Sequence, residues 1–411
     1  MPYSLYFHIP FCTHRCAYCD FNTYSGQESL IPAYVGALIQ EIKFIGQSAR
    51  TDDQLVVPSA HTVFFGGGTP SLLSSAQFES IFHAIRENFN LLENSENTIE
   101  ANPGTVSFEE LKQLRKIGIN RISFGVQSAN TEELKMLERA HNFFDVIEAV
   151  ASARKAGFDN LNLDLIYGLP EQTFQTWQIT VRRILDLRPE HISAYALTLE
   201  HGTPFGHWSS RGLLPMPDPD LAADMYEWAS ECLEVNGYVQ YEISNWAKNF
   251  ASNGAKLSRD VFQPPSHACK HNLQYWHSLP YLAFGAGAHG YANGFRYSNV
   301  LRIKTYIDRL TNYESQLTDY EFPLSPATVN QHRQTEQDDI SEFMLNGLRL
   351  TNAGITEADF RSRFGRGPLD IYQREFDELI HLGLLEWKGE IVHLTKRGRL
   401  LGNQVFLRFV E

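Results

Sequence analysis

The first 245 residues alternate short apolar runs with longer amphipathic stretches. Runs rich in β-branched and aromatic residues predict strands over 4–9, 62–65, 98–101, 121–126, 160–166, 191–198 and 239–243. Between them, apolar residues recur at helical spacing over 31–44, 75–87, 108–116 and 174–187. Alternating strand and helix units of this kind predict an α/β fold, with a parallel sheet covered by helices.

Polar side chains gather where successive predicted strands end. Glu100, Gln127, Asp164 and Tyr195 each fall at or near such an end. Polar groups at the carboxyl ends of many consecutive strands are typical of a (β/α) barrel, whereas an open doubly wound sheet concentrates them at one switch point. We therefore predict a full or partial (β/α) barrel of the TIM type over residues 1–245.

The pattern changes twice after this region. Residues 246–325 are less regular, with Gly, Pro, Asn and aromatic residues throughout, and are predicted to connect two domains. Further on, helices are predicted over 340–348, 357–364 and 369–382, followed by a hairpin of 384–387 and 391–394. Thr395 would cap a last helix that reaches about residue 409. Residues 326–411 are thus predicted to form a smaller winged-helix-like α+β domain.

The net charge and the N-terminal residues disfavour several classes of protein. A net charge of −13 over 411 residues disfavours a general affinity for nucleic acid or anionic lipid. The compact basic run of Lys396, Arg397 and Arg399 raises DNA binding as an alternative for the last domain, but a packing or lid role is favoured. No apolar run predicts a membrane span, and the first residues do not resemble a signal peptide.

Cysteine usage indicates a metal site. Three of the five cysteines, Cys12, Cys16 and Cys19, stand at the spacing C-x₃-C-x₂-C directly after the first predicted strand, and Cys232 is expected to be a buried thiol. Clustered thiols without an export signal are a poor disulfide framework, and they favour metal ligands in a reducing compartment, here the cytoplasm.

The spacing of the triplet favours an iron–sulfur cluster. Thiolates are the soft ligands that such clusters require, and a short loop lets three of them converge. Three ligands leave one iron of a [4Fe–4S] cluster open to a ligand that offers an amine and a carboxylate. The alternative is a structural zinc site completed by His8 or His14, although such sites favour two separated pairs of ligands.

A glycine-rich turn, FGGGTP over residues 65–70, follows the next predicted strand. Glycines let the backbone approach a ligand without obstruction by a Cβ atom. Read alone, a triple glycine is more often only a tight turn. Its place one strand–helix unit after the cysteine loop favours a ligand-binding turn.

The segment HIPFCTHRCAYCDF, residues 8–21, resembles the signature of the radical S-adenosylmethionine (SAM) superfamily. With its flanks, nearly the whole chain is similar to the group that contains oxygen-independent coproporphyrinogen III oxidase and the haem chaperone HemW. The resemblance implies a [4Fe–4S] cluster on Cys12, Cys16 and Cys19, SAM as a second cofactor, and an electron donor for the cluster. It also implies one-electron cleavage of SAM, in which the cofactor carries the chemistry and the protein positions it.

The resemblance assigns further positions to SAM. The matching residues are Tyr6, Tyr18, Gly67, Gly68, Thr69, Glu100, Gln127, Arg139 and Asp164. A carboxylate can accept hydrogen bonds from ribose hydroxyls or an ammonium group, and an arginine can hold the carboxylate of SAM. Each residue also has an ordinary alternative, such as a helix cap, a surface cation or core packing.

Two features favour the haem chaperone branch of this group. The oxidase branch carries a fourth cysteine two residues after the third, where this chain has Phe21. Residues 271–276, HNLQYW, resemble the HNxxYW motif that is linked in HemW to haem binding, which implies that His271, Tyr275 and Trp276 contact haem. A histidine can ligate haem iron and aromatic rings can flank a porphyrin, but a buried polar–aromatic cluster is the alternative. Other candidate ligands near the motif are His267, Cys269, His277 and His289.

The sequence therefore favours a haem chaperone that binds a [4Fe–4S] cluster, SAM and haem, and passes haem to acceptor proteins. The second hypothesis is an enzyme, an oxygen-independent coproporphyrinogen III oxidase. A tRNA-modifying radical SAM protein is a third hypothesis, disfavoured by the negative charge and by the resemblance of the C-terminal domain.

Overall fold

The computed structural model of the protein describes residues 2–51, 58–249, 263–312 and 319–410, so parts of the predicted connecting region, 250–262 and 313–318, lie outside the described residues. The strands within the described residues are β1 (Tyr3–Ile9), β2 (Phe11–Cys12), β3 (Tyr24–Ser25), β4 (Ser59–Gly67), β5 (Asn90–Ala101), β6 (Arg121–Gln127), β7 (Leu161–Tyr167), β8 (His191–Ala196), β9 (Tyr238–Glu242), β10 (Asn245–Lys248), β11 (Tyr281–Phe284), β12 (His289–Ala292), β13 (Phe295–Asn299), β14 (Thr328–Arg333), β15 (Ile355–Thr356), β16 (Leu385–Lys388) and β17 (Ile391–Leu394). The helices are α1 (Ile31–Thr51), α2 (Ser75–Asn88), α3 (Phe108–Ile117), α4 (Thr131–Met136), α5 (Phe143–Lys155), α6 (Phe174–Asp186), α7 (Pro204–Ser210), α8 (Pro219–Val235), α9 (Lys270–Trp276), α10 (Ile303–Thr311), α11 (Glu336–Gly347), α12 (Glu357–Phe364), α13 (Leu369–His381), α14 (Lys396–Leu400) and α15 (Gly402–Phe406).

The chain forms two compact units, each assembled from separate stretches of sequence. The first comprises Met1–Pro189, Tyr195–Met225 and Pro280–Arg333, and the second comprises Glu190–Ala194, Tyr226–Leu279 and Gln334–Glu411. The three-part division at residues 245 and 325 stays a prediction.

The first unit is built on a large, mostly parallel sheet, which confirms the predicted α/β fold. Its parallel strands lie in the order β11-β1-β4-β5-β6-β7, and β12, β13 and β14 continue the sheet antiparallel beyond β11. The strands β1 and β4 to β7 were predicted from the pattern, whereas β11 comes from the region that the pattern left irregular. The order within this unit is linear, which corresponds to the partial form of the predicted barrel.

Aromatic packing fixes the central strand of this sheet. Leu5, Phe7 and Ile9 of β1 are fully buried. The ring of Phe7 stacks on Phe65 of β4 and on Phe284 of β11, with centroid distances of 5.0 and 4.8 Å. Each such pair contributes about 0.5–1.5 kcal/mol beyond the burial of its area. These contacts hold β1 in register, and β1 leads directly into the cysteine loop.

The helices that follow the strands begin at strong local signals. Ser74 caps α2 and Ser107 caps α3, each in a reciprocal capping box with the side chain three residues later. A cap of this kind contributes about 1 kcal/mol. The predicted helices over 75–87 and 108–116 therefore begin where the sequence indicates.

The second unit contains two sets of antiparallel strands. β10 pairs with β9 and with residues 191–193 of β8, and a separate sheet has the order β15-β17-β16. The helices α11, α12 and α13 pack on a core that includes Ile340, Phe360, Phe376 and Leu394. The order of helices followed by a hairpin agrees with the prediction for the C-terminal domain.

Two sequence predictions were wrong in detail. The single helix predicted to reach residue 409 is interrupted, because Leu401 takes φ −108° and ψ 22° between α14 and α15. Glycine at 398 and 402 weakens a continuous helix here. Cys232 of α8 is partly exposed rather than buried.

Across the described ranges, no helix combines the length and apolar character that a bilayer crossing requires.

Candidate functional site

The three clustered cysteines lie on a loop that begins where β1 ends. The short strands β2 and β3 pair in parallel and close this loop between Cys12 and Ser25. Inside it, the amide of Cys19 donates to the carbonyl of Cys16 at 3.1 Å, and the amide of Tyr24 donates to the carbonyl of Pro10 at 2.8 Å. Backbone hydrogen bonds thus hold the thiols of one short segment close together.

Each thiol of the triplet has a polar neighbour. Thr69 donates its hydroxyl to Cys12 Sγ at 3.6 Å, and Arg139 donates a guanidinium N–H to Cys16 Sγ at 3.7 Å. Cys19 Sγ lies 3.9 Å from the hydroxyl of Thr23. Burial raises the pKa of Cys12 and of Cys16, and the neighbouring Cys19 thiol adds to both rises. The thiolate forms would therefore require a positive charge, which bound iron supplies.

The donor set fits a four-iron cluster better than a single ion. Among the described residues, no three His, Cys, Asp or Glu side chains converge on a point suited to one metal ion. A [4Fe–4S] cluster does not require such convergence, because each thiolate binds a different iron. The ring nitrogens of His8 lie 3.0 Å from the Tyr6 hydroxyl and 2.9 Å from the Asn22 carbonyl oxygen. His14 pairs with Glu138 at 3.2 Å. Both ring nitrogens of His8 are thus engaged within the protein, and the Nε2 atom of His14 faces a carboxylate.

The glycine turn at the end of β4 lies against the cysteine loop. The amides of Gly68 and Thr69 donate to the carbonyls of Ile9 and Phe11, at 2.9 and 2.7 Å. A Cβ atom at position 68 would lie 2.6 Å from the Phe11 carbonyl oxygen and 3.0 Å from the sulfur of the first cysteine. Glycine is required here because the two loops approach each other so closely, and these two N–H groups are engaged by the protein itself.

A carboxylate contacts this turn, and a second carboxylate lies close enough to influence the first. Glu100 of β5 accepts a hydrogen bond from the amide of Gly67 at 3.1 Å. Burial raises the pKa of Glu100 to about 7, and the charge of Asp164 on β7 adds to the rise. Asp164 accepts hydrogen bonds from Ser123 at 2.7 Å and from Asn162 at 2.8 Å. Two half-buried carboxylates that interact with each other favour a ligand that is cationic or rich in donors.

Tyr6 closes the same side of the site. A Cβ atom at position 66 would lie 3.1 Å from Glu100 Oε2 and 3.2 Å from the Tyr6 ring. Burial raises the pKa of Tyr6, with the charge of Glu100 as a second cause. Tyr6, the glycine turn and Glu100 therefore form one continuous surface.

Arg139 is half-buried and donates several hydrogen bonds within the protein. The alternative interpretation, a surface cation, is therefore wrong. It donates to the Gly125 carbonyl at 2.7 Å, to the side-chain oxygen of Asn102, and to Cys16 as described above. A Cβ atom at position 125 would lie 3.0 Å from Gln127 Nε2 and 3.1 Å from Arg139 itself. Gln127 takes a positive φ of 66° beside it.

Asn102 is a site residue that the sequence analysis missed. Besides accepting from Arg139, its amide donates to the hydroxyl of Thr69 at 3.0 Å. It therefore links the arginine to the threonine that contacts Cys12. Its position two residues after Glu100, at a strand end and before Pro103-Gly104, was a signal that could have identified it.

Tyr18 belongs to the loop and to a small apolar cluster at once. Its ring packs against Phe205 at a centroid distance of 6.4 Å, and its hydroxyl interacts with Arg139. The structure thus brings together the triplet and the residues predicted for SAM, which are Tyr6, Tyr18, Gly67, Gly68, Thr69, Glu100, Gln127, Arg139 and Asp164. Their assignment to SAM stays a prediction.

The HNLQYW segment forms the helix α9 of the second unit. His271 is buried, its Nε2 lies 2.8 Å from the Tyr275 hydroxyl, and the two rings meet edge to face at 5.0 Å. The guanidinium of Arg349 lies 4.5 Å from the centroid of the Trp276 ring. This is the polar–aromatic cluster that was the alternative interpretation, and haem binding by these residues stays a prediction.

The other candidate haem ligands are dispersed. Cys269 is buried at the start of α9, where its amide donates to the Tyr241 hydroxyl at 3.3 Å. His267 lies 3.1 Å from the Ser266 hydroxyl, and His277 follows the last residue of α9. His289 lies on β12 in the first unit.

Comparison with known proteins agrees with this geometry. The sequence profile of the Radical SAM superfamily matches residues 6–184, and that of the HemN C-terminal domain matches residues 334–401. A protein named Heme chaperone HemW from Bacillus subtilis is 38% identical over 408 residues, covering 99% of both chains. Heme chaperone HemW of Lactococcus lactis is 36% identical over 100% of this chain and 97% of its own, and that of Escherichia coli is 33% identical over 100% and 98%.

A solved structure shares the fold. Coproporphyrinogen III oxidase (HemN) from Escherichia coli, described as a radical SAM enzyme, superimposes with a TM-score of 0.77 at 23% identity, over 99% of this chain and 90% of that one. The fold and the cysteine site define a radical SAM protein, a class whose members bind a [4Fe–4S] cluster and SAM. Within that class, the chain belongs to the heme chaperone HemW family.

Proposed function

We propose that the chain is a haem chaperone, which binds haem and transfers it to acceptor proteins. The observation that supports this most is its similarity to proteins named Heme chaperone HemW, at 30–38% identity over nearly the full length of most of them. Phe21 gives further support, because a 68% exposed phenylalanine occupies the position of the oxidase branch's fourth cysteine.

Within this function, Cys12, Cys16 and Cys19 would hold the cluster and the adjoining residues would hold SAM. When bound, the cluster and SAM supply one-electron chemistry. The chain's own residues orient the ligands. Glu100 and Asp164 offer carboxylates to donors of SAM, and Arg139 lies where it can bind an anionic group next to Cys16. Tyr6 and Tyr18 cover the site from two sides.

Haem is assigned to the second unit, at α9. Trp276 is partly exposed, Tyr275 directly precedes it, and His271 lies earlier on the same helix. In the described conformation the His271 Nε2 atom lies at hydrogen-bonding distance from the Tyr275 hydroxyl. Ligation of haem iron by Nε2 would therefore require that this contact be released.

The compartment that we propose is the cytoplasm, which the free thiols of the triplet support because they need reducing conditions. The partners that we propose are a haem-accepting protein and an electron donor for the cluster, and the negative net charge supports a partner other than nucleic acid.

The test is a haem titration run in parallel with a turnover assay. Anaerobically reconstituted protein is titrated with haem, and the same preparation is incubated with coproporphyrinogen III, SAM and a reductant. We expect one haem per chain, release of haem to a haem-free acceptor such as apomyoglobin, and no protoporphyrinogen. His271→Ala should weaken haem binding, whereas the exposed His381→Ala should not. Robust formation of protoporphyrinogen would contradict the proposal and favour the oxidase.

A further inference from the structure

An arginine and a tryptophan stack at the end of α9. The guanidinium carbon of Arg349 lies 4.5 Å from the centroid of the Trp276 ring and 5.7 Å from that of Phe406. The backbone carbonyl of Arg349 also accepts a hydrogen bond from the amide of Ile243 at 3.2 Å. The cation is therefore positioned by two aromatic rings and by its own backbone.

This pair carries two donors without a hydrogen-bond partner among the described residues. They are Trp276 Nε1 and Arg349 Nε, and both atoms are buried. Indole and guanidinium N–H groups donate and never accept, so each requires an acceptor. Buried donors of native proteins are almost always paired with protein, water or a ligand. An acceptor that carries negative charge would suit either donor and also the guanidinium charge.

Glu242 does not supply an acceptor for either of these two donors. Its side chain is buried, and one of its oxygens accepts from the Ser244 amide at 3.1 Å and from the Asn245 side chain. Its other oxygen has no hydrogen-bond partner among the described residues. Arg349 is close enough to lower the pKa of Glu242, against the larger effect of burial. Glu242 thus balances the arginine from inside the unit, while Arg349 remains partly exposed on its other side.

We propose that Arg349 and Trp276 form a carboxylate-binding site that takes a propionate group of haem. The inference rests on the proposed function, because Trp276 is the last residue of the HNLQYW segment. Haem carries its carboxylates on the edge of a flat apolar ring. The indole face suits the ring, and the partly exposed guanidinium group of Arg349 suits the carboxylate.

The test compares haem with its dimethyl ester, in which both propionates are uncharged. Each is titrated into the wild-type chain, Arg349→Ala, the double variant Arg349→Ala/Glu242→Gln, and Arg374→Ala as a charge-matched control on an exposed part of α13. We expect the wild type and Arg374→Ala to bind haem roughly tenfold more tightly than the ester. Both Arg349 variants should lose this preference and bind the ester as the wild type does.

The double variant separates ligand binding from a structural role, because it removes the buried charge together with its partner. If it binds haem with the wild-type preference, Arg349 only neutralises Glu242 and the proposal is overturned. Equal affinity of the wild type for haem and for the ester overturns it without any variant. Failure of the wild type to bind either compound contradicts the haem chaperone function itself, and so is distinguishable from failure of the carboxylate site.

Discussion

Glu100 accepts a hydrogen bond from the backbone N–H of Gly67 at 3.1 Å, which joins the carboxyl ends of β5 and β4. The contact places a half-buried carboxylate against the glycine turn, which lies against the cysteine loop. Burial raises the pKa of Glu100 to about 7, and the charge of Asp164 is the second cause of the rise. We therefore expect the charge of Glu100 to change near neutral pH and to respond to a cationic ligand.

Glu100→Gln should abolish a pH dependence of SAM binding. The Glu100 pKa of about 7 means that the carboxylate ionises as the pH rises through neutrality, so binding of the cationic ligand should tighten from pH 6 to pH 8. The variant should bind more weakly at pH 8 and show little change between these values. Calorimetric titration measures this, and the exposed Glu109→Gln, which should behave as wild type, is the control.

The same substitution should stabilise the ligand-free chain at high pH. The pKa of Glu100 is higher in the folded chain, at about 7, than its ordinary 4.5, so its contribution to stability is fully present below 4.5 and is lost as the pH rises through 7. Glutamine has no charge to desolvate, and at pH 8 the variant should gain up to about 3 kcal/mol. A thermal unfolding midpoint at or below that of the wild type at pH 8 would refute this.

Cys16→Ala should remove the iron–sulfur cluster. The thiol lies between Arg139 and the other two cysteines, and the loop offers no further sulfur, since Phe21 occupies the position of the fourth. Iron and acid-labile sulfide should fall to background after anaerobic reconstitution. Cys232→Ala, which removes a partly exposed thiol on α8, should keep both. Loss of zinc instead of iron in Cys16→Ala would support the zinc alternative.

Gly67→Ala should destabilise the first unit more than a comparable glycine substitution. Gly67 has φ +109°, and an added Cβ would lie 2.5 Å from the ring of His8, whereas Gly104 has φ +82° and open space around it. Both substitutions incur the backbone cost of a positive φ, about 1 kcal/mol, so the difference between them reports the clash with His8. Denaturant unfolding of the two variants measures it, and equal losses would contradict the described contact.

Glu41→Gln should loosen the packing behind the cysteine loop. The buried Glu41 carboxylate accepts hydrogen bonds from Tyr306 at 2.7 Å, Asn299 at 2.7 Å, Ser325 at 2.9 Å and the Gly285 amide at 2.9 Å. A glutamine can accept with only one oxygen, so we expect a loss of about 2–3 kcal/mol in the free energy of unfolding. Glu79→Gln, at an exposed position of α2, is the control. An unchanged free energy of unfolding in Glu41→Gln would contradict the prediction.

The sequence predicted the parts of the site that local pattern determines. Cys12 follows β1, Gly67 ends β4 and Glu100 lies next to the last residue of β5, and parallel strands bring such positions to one edge of the sheet. The strand ends indicated where polar groups gather, whereas the assignment of Glu100 and Asp164 to SAM came from the resemblance to the radical SAM family and stays a prediction.

What the sequence could not give depends on contacts between distant segments. Asn102 acquires its role only when Arg139, 37 residues later, reaches it. β11 is a four-residue strand between glycine- and aromatic-rich segments. It is too short to show the alternation of apolar and polar residues by which strands are predicted. Gly398, near the break at Leu401, also approaches a distant segment, since a Cβ atom there would lie 2.0 Å from the Leu384 carbonyl oxygen.

The most direct test of the site is the electron paramagnetic resonance spectrum of the reduced, anaerobically reconstituted chain, recorded before and after addition of SAM. Three cysteine ligands leave one iron open, so SAM should shift the spectrum of the wild type, and Arg139→Ala should require more SAM for the same shift. A wild-type spectrum that SAM leaves unchanged, in a sample with full iron and sulfide content, would contradict the account.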